Sequence, residues 1–299
     1  MSEQISDRAG LPGLIDRLKE FVPVRLRRDI AVVPVVRLSG VIGAVTPLRP
    51  GMTLAGVAKM LERAFGTRNA RAVALVINSP GGSPVQSRQI YLRIRQLAAE
   101  KKLPVLVFVE DVAASGGYMI ACAADEIICD PSSIVGSIGV VGGSFGFVRL
   151  MDKLGIERRL YTSGENKAML DPFLPEKPED VERLKAIQQE IHEGFIDLVK
   201  GSRGARLKGP EQTLFSGEYW TGSTAIELGL ADGIGDLRTT LRARFGDDVV
   251  TPLVSPARGW FGRVQPGVSA LDSVLRSGNF AEEIISALET RAHWARYGL

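Results

Sequence analysis

Residues 71–82 read RAVALVINSPGG, an apolar run that ends abruptly in an Asn-Ser-Pro-Gly-Gly turn. A continuous apolar run of this length is typical of a parallel strand that is buried on both faces of a sheet. Residues 104–118 read PVLVFVEDVAASGGY, a second apolar run that passes through small residues into a Ser-Gly-Gly turn. A segment with helical periodicity follows each turn. The two stretches therefore predict two buried parallel strands, each leading through a glycine-rich turn into a helix.

Strand and helix patterns alternate on either side of these stretches. Strands are predicted at 31–38, 71–77, 104–109, 126–129, 135–141 and 158–162, and helices at 53–65, 84–101, 118–124, 145–154, 180–202 and 223–228. This alternation is typical of an α/β domain with a mainly parallel sheet and flanking helices. In such sheets the functional site forms at the carboxyl ends of the strands. Both glycine-rich turns lie at such ends.

Composition narrows the class of protein. Of the 299 residues 45% are apolar and 24% charged, the balance of a soluble globular chain, and the net charge of +3 is too small to predict a nucleic-acid partner. The two cysteines, Cys122 and Cys129, do not form a disulfide framework and indicate a reducing compartment. The sequence begins without a secretory signal and has no apolar run of the ~18 residues that a spanning helix needs. We therefore expect a cytoplasmic protein.

Three segments are predicted along the chain. Residues 1–29 form a basic N-terminal arm with a short amphipathic helix over 11–22, and residues 30–245 form one enzyme domain. Residues 246–299 form a linker and a C-terminal helical extension, which ends in an amphipathic helix near 281–297. Two interpretations of the arm stay open. It either docks on its own domain or a neighbouring subunit, or it lies on a membrane surface.

Few residues are available for catalysis. Histidine occurs only as His192 and His293, and neither follows a glycine-rich turn, so a Ser-His-Asp triad is not predicted. No metal-ligand spacing and no nucleotide-binding fingerprint occurs, so neither a metal nor a cofactor is expected. Ser115 remains, on a turn where the N–H groups of Gly116 and Gly82 can stabilise an oxyanion. Taken alone, such a serine is more often a helix N-cap without chemistry.

Five sequence blocks stand out, the two turns and three later ones: VINSPGG at 76–82, AASGGY at 113–118, IVGSIGV at 134–140, SGENK at 163–167, and GEYWTG at 217–222 with LGLADGIG at 228–235. Together they resemble the bacterial signal peptide peptidase A family, serine–lysine peptidases with the Clp-protease/crotonase-like fold. They follow one another in order over residues 31–240. The resemblance is specific because the blocks occur in combination.

The resemblance implies a role for each residue. Ser115 is the nucleophile and Lys167 the general base, Gly82 and Gly116 donate to the oxyanion, and Ser137 hydrogen-bonds the lysine and orients it. In the family the base comes from a neighbouring protomer or repeat, which implies a homo-oligomeric ring with an active site shared between protomers. A lysine is protonated at its ordinary pKa of about 10.4. Burial favours the neutral amine, which can accept the serine proton.

The function implied is that of a serine endopeptidase with a Ser-Lys dyad, which hydrolyses peptides, among them remnant signal peptides, through an acyl-enzyme. Family members of this size commonly begin with a membrane anchor, which is not seen here. Residues 11–28 and 260–261 are the candidates for peripheral contact with the inner face of the membrane. Two alternatives stay open: a crotonase-type acyl-CoA enzyme on the same fold, which the absence of a carboxylate in the two turns disfavours, and a non-catalytic membrane-associated scaffold.

Overall fold

The computed structural model describes residues 30–43, 51–255, 291–292 and 294–298. The predicted arm, residues 1–29 with its helix over 11–22, lies outside the described residues, as do residues 256–290 of the predicted extension. The division of the chain into arm, domain and extension stays a prediction. None of the described helices is long and apolar enough to cross a bilayer.

Strands and helices alternate through the described part of the chain. The strands are β1 (Val35–Ser39), β2 (Val73–Ser79), β3 (Val105–Ala114), β4 (Glu126–Cys129), β5 (Ile134–Gly136), β6 (Tyr219–Thr221) and β7 (Gly233–Ile234). The helices are α1 (Leu54–Phe65), α2 (Pro84–Lys101), α3 (Gly116–Ala121), α4 (Val148–Leu154), α5 (Pro178–Arg203), α6 (Glu211–Leu214), α7 (Gly222–Glu227) and α8 (Leu237–Phe245), with a 3-10 turn at Gly204–Arg206.

One sheet joins these strands in the order β1-β2-β3-β4-β7, and all of its neighbours along this path are parallel. β3 is long enough to have two partners. Its first half pairs with β4, and its last three residues, from Val112, pair in parallel with β5, which in turn pairs antiparallel with β6. The predicted fold, a mainly parallel sheet with flanking helices, is confirmed. The branch from β4 to β5 places the end of β3 beside the end of β5.

The sheet is buried on both faces, as the continuous apolar runs predict. Side chains at alternate positions of β2 point to opposite faces: Val73 and Leu75 join the core beneath α1, α2 and α3, whereas Ala74 and Val76 join the core that includes Leu241 of α8. All four β2 side chains are under 9% exposed. This packing fixes the carboxyl ends of the central strands, from which the functional turns leave.

Local signals in the sequence set most helix boundaries. Thr53 caps α1, as predicted, and its Oγ1 accepts the N–H of Gly56 at 3.2 Å. The helix predicted at 84–101 has those bounds in the structure. The strand predicted at 158–162 is wrong. That stretch is exposed and pairs with no strand in the described part of the chain, and Arg158 forms an ion pair with Asp171.

A buried ion pair fastens the end of α5 to the segment before β7. Arg203 is 2% exposed, and its guanidinium donates to both carboxylate oxygens of Asp232, at 2.7 and 2.8 Å. Asp232 also accepts the N–H of Ile127 in β4 at 2.7 Å. Burial raises the pKa of Asp232, but the hydrogen bonds from Arg203 and Ile127 outweigh it and lower the pKa below the usual aspartate value.

Candidate active site

Ser115 lies on the turn between β3 and α3 in a backbone conformation that is uncommon for a residue with a side chain. Its φ is 52° and its ψ −121°. Such strain costs of order 1–3 kcal/mol and persists only where the surrounding structure enforces it. The register of the neighbouring strands holds it there. Ala114 pairs with Gly136, and the N–H of Ser115 donates to the Gly136 carbonyl at 2.8 Å. The conformation is therefore imposed by the sheet.

Capping of α3 does not explain this serine. Ser115 occupies the N-cap position, yet its side chain makes no capping hydrogen bond. An N-cap serine normally accepts an N–H from the first turn of the helix. Here the half-buried side chain lines a cavity of about 320 Å³ instead. The Oγ is thus available to an incoming group.

The two glycine-rich turns are in direct contact. Gly81 has a φ of +105°, and a Cβ built on it would lie 2.8 Å from the Cβ of Ser115 and 2.9 Å from the nitrogen of Gly116. Only glycine combines this backbone conformation with so close an approach. Ile42 holds the turn from the other side, because its N–H donates to the Gly81 carbonyl at 2.8 Å. The turn that carries Gly82 is therefore seated against the nucleophile turn.

The backbone N–H groups predicted to bind an oxyanion have no hydrogen-bond partner among the residues that the structure describes. Within the described part of the chain, neither Gly82 nor Gly116 donates its N–H to a backbone carbonyl. Gly116 is the first residue of α3, where N–H groups have no partner inside the helix. Gly82 has a φ of +140°, and a Cβ there would overlap the carbonyl of Ile42. Two unpaired donors on touching turns can stabilise a negatively charged oxygen.

Ser137 lies beside Ser115 because β5 runs parallel to the end of β3. Each serine follows one member of the Ala114–Gly136 pair. Ser137 also has a positive φ, 54°, and is 6% exposed. Both serines line the same cavity, together with other residues from four parts of the chain: Gly139, Val140, Val141, His192, Ser216, Gly217 and Arg296.

Lys167 is not part of this cavity in the single chain. It lies in the turn over residues 163–170, where its N–H donates to the Gly164 carbonyl at 3.2 Å and its side chain is exposed. Among the described residues no hydrogen bond joins its amine to Ser115 or Ser137. The structure therefore brings four of the five predicted site residues together and leaves the lysine apart.

Sequence reasoning missed three residues at the cavity. His192, which seemed remote from the glycine-rich turns, reaches the cavity from α5, and its Nε2 lies 3.0 Å from the carbonyl oxygen of Ile138. Arg296 lines the same cavity. Tyr297 lies behind Ser137, and its hydroxyl is 3.3 Å from the Ser137 Oγ. No sequence signal places these residues, because each comes from a distant segment.

The described residues give little support to catalysis by a metal ion or by a cysteine. They contain no group of three or more His, Cys, Asp and Glu side chains that could hold a metal ion. Both cysteines are buried and free. Burial raises the pKa of the Cys122 thiol to about 12 and that of Cys129 to about 11, so neither forms a reactive thiolate near neutral pH.

Two family models match this chain. The model of Peptidase family S49 matches residues 97–245, which include the predicted nucleophile, base and orienting serine. The model of the ClpP-like SDH-type serine proteinase matches residues 13–146. The second match agrees with the parallel sheet described above.

Individual relatives extend the comparison. "Na(+)/H(+) antiporter NhaA" of Brucella abortus is 55% identical over 97% of this chain, but the chain spans only 39% of that relative, whose name describes the whole protein. "Serine protease SPPA, chloroplastic" of Arabidopsis thaliana is 32% identical over 69% of this chain and 31% of its own length. "Putative protease slr0021" of Synechocystis is 30% identical over 62% of this chain and 67% of its own length. Together with the family model and the site geometry, these similarities establish that the chain belongs to peptidase family S49.

Proposed function

We propose that the chain is a serine endopeptidase that cleaves peptides through an acyl-enzyme on Ser115, with Lys167 as the general base. One observation carries the proposal: a strained serine with an uncapped hydroxyl lies on a turn whose backbone touches a second turn, and each turn has an N–H without a partner among the described residues. This is the arrangement that acyl transfer to a serine requires. Family membership and the name of the Arabidopsis relative support the same reaction class.

The proposed reaction proceeds in two halves. A neutral lysine amine takes the proton of Ser115 while Oγ attacks the carbonyl carbon of the scissile bond. The tetrahedral oxyanion accepts hydrogen bonds from the N–H groups of Gly82 and Gly116, and the lysine ammonium returns the proton to the departing amine. Water then attacks the acyl-enzyme by the same route and releases the second product. Ser137 accepts an N–H of the lysine and keeps its lone pair directed at Ser115.

A neighbouring subunit supplies the base in this proposal, within a homo-oligomeric ring. Lys167 belongs to residues 140–177, which we call the lysine arm. The arm contains α4, no residue of which is buried. It carries nine exposed large apolar side chains: Val141, Phe145, Leu150, Leu154, Ile156, Leu160, Tyr161, Phe173 and Leu174. So many exposed apolar side chains on one segment are typical of a protein–protein interface.

Contact between arms also has a chemical consequence. An exposed lysine amine holds its proton in water and cannot act as a base. Docking of the lysine arm on a second copy would remove water from the amine and favour its neutral form. In this way assembly both positions and activates the base. A closed ring is the symmetric outcome of such a head-to-tail contact.

Peptides are the proposed substrates, with small or apolar residues before the scissile bond, and remnant signal peptides are one source. Peripheral membrane contact stays a prediction, because residues 11–28 and 260–261, on which it rests, lie outside the described residues.

Labelling with a fluorophosphonate tests the nucleophile directly. The unaltered chain should be modified at Ser115, as mapped by peptide mass spectrometry, and should hydrolyse peptide substrates. Ser115→Ala and Lys167→Ala should abolish hydrolysis, whereas Ser132→Ala and Lys101→Ala, matched changes of exposed residues outside the cavity and the lysine arm, should not. Modification of a different serine, or full hydrolysis by Ser115→Ala, would refute the assignment.

A further inference from the structure

The hydroxyl of Ser137 needs a partner of its own. This inference rests on the proposed function, in which Ser137 accepts an N–H from Lys167. A serine hydroxyl has one proton and can donate it to the lone pair of the amine. That hydrogen bond would engage the lone pair that must take the proton of Ser115. The proton of Ser137 therefore has to be held away from the cavity.

Tyr297 lies where it can do this. Its hydroxyl is 3.3 Å from the Oγ of Ser137 and 3.5 Å from the carbonyl oxygen of Pro80. Tyr297 is 9% exposed, and it is not among the residues that line the cavity. The phenol thus contacts Ser137 from outside the cavity that Ser115 and Ser137 line.

Packing fixes the phenol ring in this position. The ring meets Tyr219 edge-on, with centroids 5.0 Å apart and an interplanar angle of 71°. It also packs with Val112 and Ala114, the last residues of β3 on that side. The Tyr219 hydroxyl donates to the Arg296 carbonyl at 3.0 Å and so ties the segment to β6. Residues from two strands therefore determine where the Tyr297 hydroxyl lies.

The two oxygen atoms near the phenol differ in what they can do. A carbonyl only accepts, whereas a serine hydroxyl donates or accepts. One phenol proton cannot serve both neighbours. If Tyr297 donates to Pro80, its oxygen is left to accept the proton of Ser137. The Ser137 lone pairs then face the cavity, where an ammonium or amine N–H needs an acceptor.

We propose that Tyr297 is a positioning residue, whose hydroxyl bridges Pro80 and Ser137 and thereby sets Ser137 as the hydrogen-bond acceptor for the catalytic lysine. Pro80 immediately precedes the Gly81–Gly82 turn, so the same bridge links the oxyanion turn to the residue that orients the base. Segment 294–298 is then part of the active site. Tyr297 acts through Ser137 and touches neither the substrate nor the reacting atoms.

Tyr297→Phe removes the hydroxyl and keeps the ring. Against a peptide substrate, the full-length variant should lose about tenfold in kcat, the equivalent of one hydrogen bond, while KM changes less than about twofold. Tyr91→Phe, the same change on α2 and away from the cavity, should leave both constants unchanged. The decisive comparison is a double-mutant cycle. In a Ser137→Ala background, Tyr297→Phe should have no further effect, because the residue through which it acts is gone.

Three results would overturn the inference. The first is an unchanged kcat in Tyr297→Phe, including the case in which only its melting temperature falls. The second is an increased kcat, which would make segment 294–298 an inhibitory plug. The third is an equal loss in the presence and absence of Ser137. If the unaltered chain has no Ser115-dependent hydrolysis, the proposed function fails as well, so the two failures are distinguishable.

Discussion

Mixing two inactive variants should restore activity if the base acts between subunits. Ser115 and Ser137 share one cavity, but Lys167 lies apart from it on an exposed arm. We therefore expect Ser115→Ala chains, which keep the lysine, to complement Lys167→Ala chains, which keep the nucleophile. Each variant alone should be inactive, and oligomers that contain both should hydrolyse peptides.

The expected magnitude follows from how each site is composed. A site takes Ser115 from one protomer and Lys167 from the next. In an equal mixture each of these protomers is the suitable variant with a probability of about one half, independently of the other. About one quarter of the sites should therefore be complete, whatever the number of subunits. The recovered kcat per chain should be about a quarter of that of the unaltered protein.

A second mixture provides the control. The unaltered chain mixed equally with a Ser115→Ala/Lys167→Ala double variant has about one quarter complete sites if the base acts in trans, and about one half if it acts in cis. Equal co-expression of the two chains without selection for mixed oligomers allows random assembly, and native mass spectrometry verifies that the subunits have mixed in random proportions. Zero activity in the first mixture, with about half in the second, would refute a shared site.

Two further predictions concern the scaffold of the site. Gly81→Ala should lower kcat/KM by about 100-fold, because the added Cβ would displace the Ser115 turn. Gly246 has a similar φ of +95° but open space around it, so Gly246→Ala should lower kcat/KM little. Equal losses in the two variants would contradict the steric argument. Asp232→Asn should lower the free energy of unfolding at pH 7, measured in urea, by about 3–5 kcal/mol, because it leaves Arg203 buried without its partner. The pKa of Asp232 is lowered in the folded state. Its contribution to the free energy of unfolding is therefore complete above the unfolded pKa of about 3.9 and is lost as the pH falls through the folded pKa. If the stability of Asp232→Asn fell as steeply as that of the unaltered chain across this acid range, the stabilising role of the Asp232 carboxylate would be contradicted.

Sequence alone predicted the parts of the site that depend on local signals. The apolar runs at 71–77 and 104–109 predicted buried parallel strands, and the glycine-rich turns after them were predicted at the carboxyl ends of those strands. The close approach of Gly81 to Ser115 is visible only in the structure. The predicted strand at 158–162 was wrong because its residues, Arg-Arg-Leu-Tyr-Thr, fit an exposed loop as well as a strand when no neighbouring strand is present. Whether such a stretch forms a strand depends on hydrogen bonds to a neighbouring strand, which the local sequence does not specify.

The neighbours of Ser137 show the same limit. The serine was identified by resemblance, but its position next to Ser115 follows from β3 pairing with β4 first and with β5 afterwards. Tyr297 follows Ser137 by 160 residues and meets it only through tertiary packing. His192 likewise reaches the cavity from the side of a long helix. Residues that act through contacts of this range leave no periodicity or motif in the sequence.

Backbone strain gives a separate reason to place the chemistry at the end of β3. Among the described residues that are not glycine, five have a positive φ: Asn69, Lys102, Ser115, Ser137 and Leu170. Lys102 ends α2 in the left-handed conformation that is common at helix termini. The two serines have no such explanation, because they follow paired residues of adjacent strands and face one cavity. Strain of this kind persists only where the surrounding structure enforces it. Two strained serines at one cavity therefore indicate that the fold here serves to position their two hydroxyl groups.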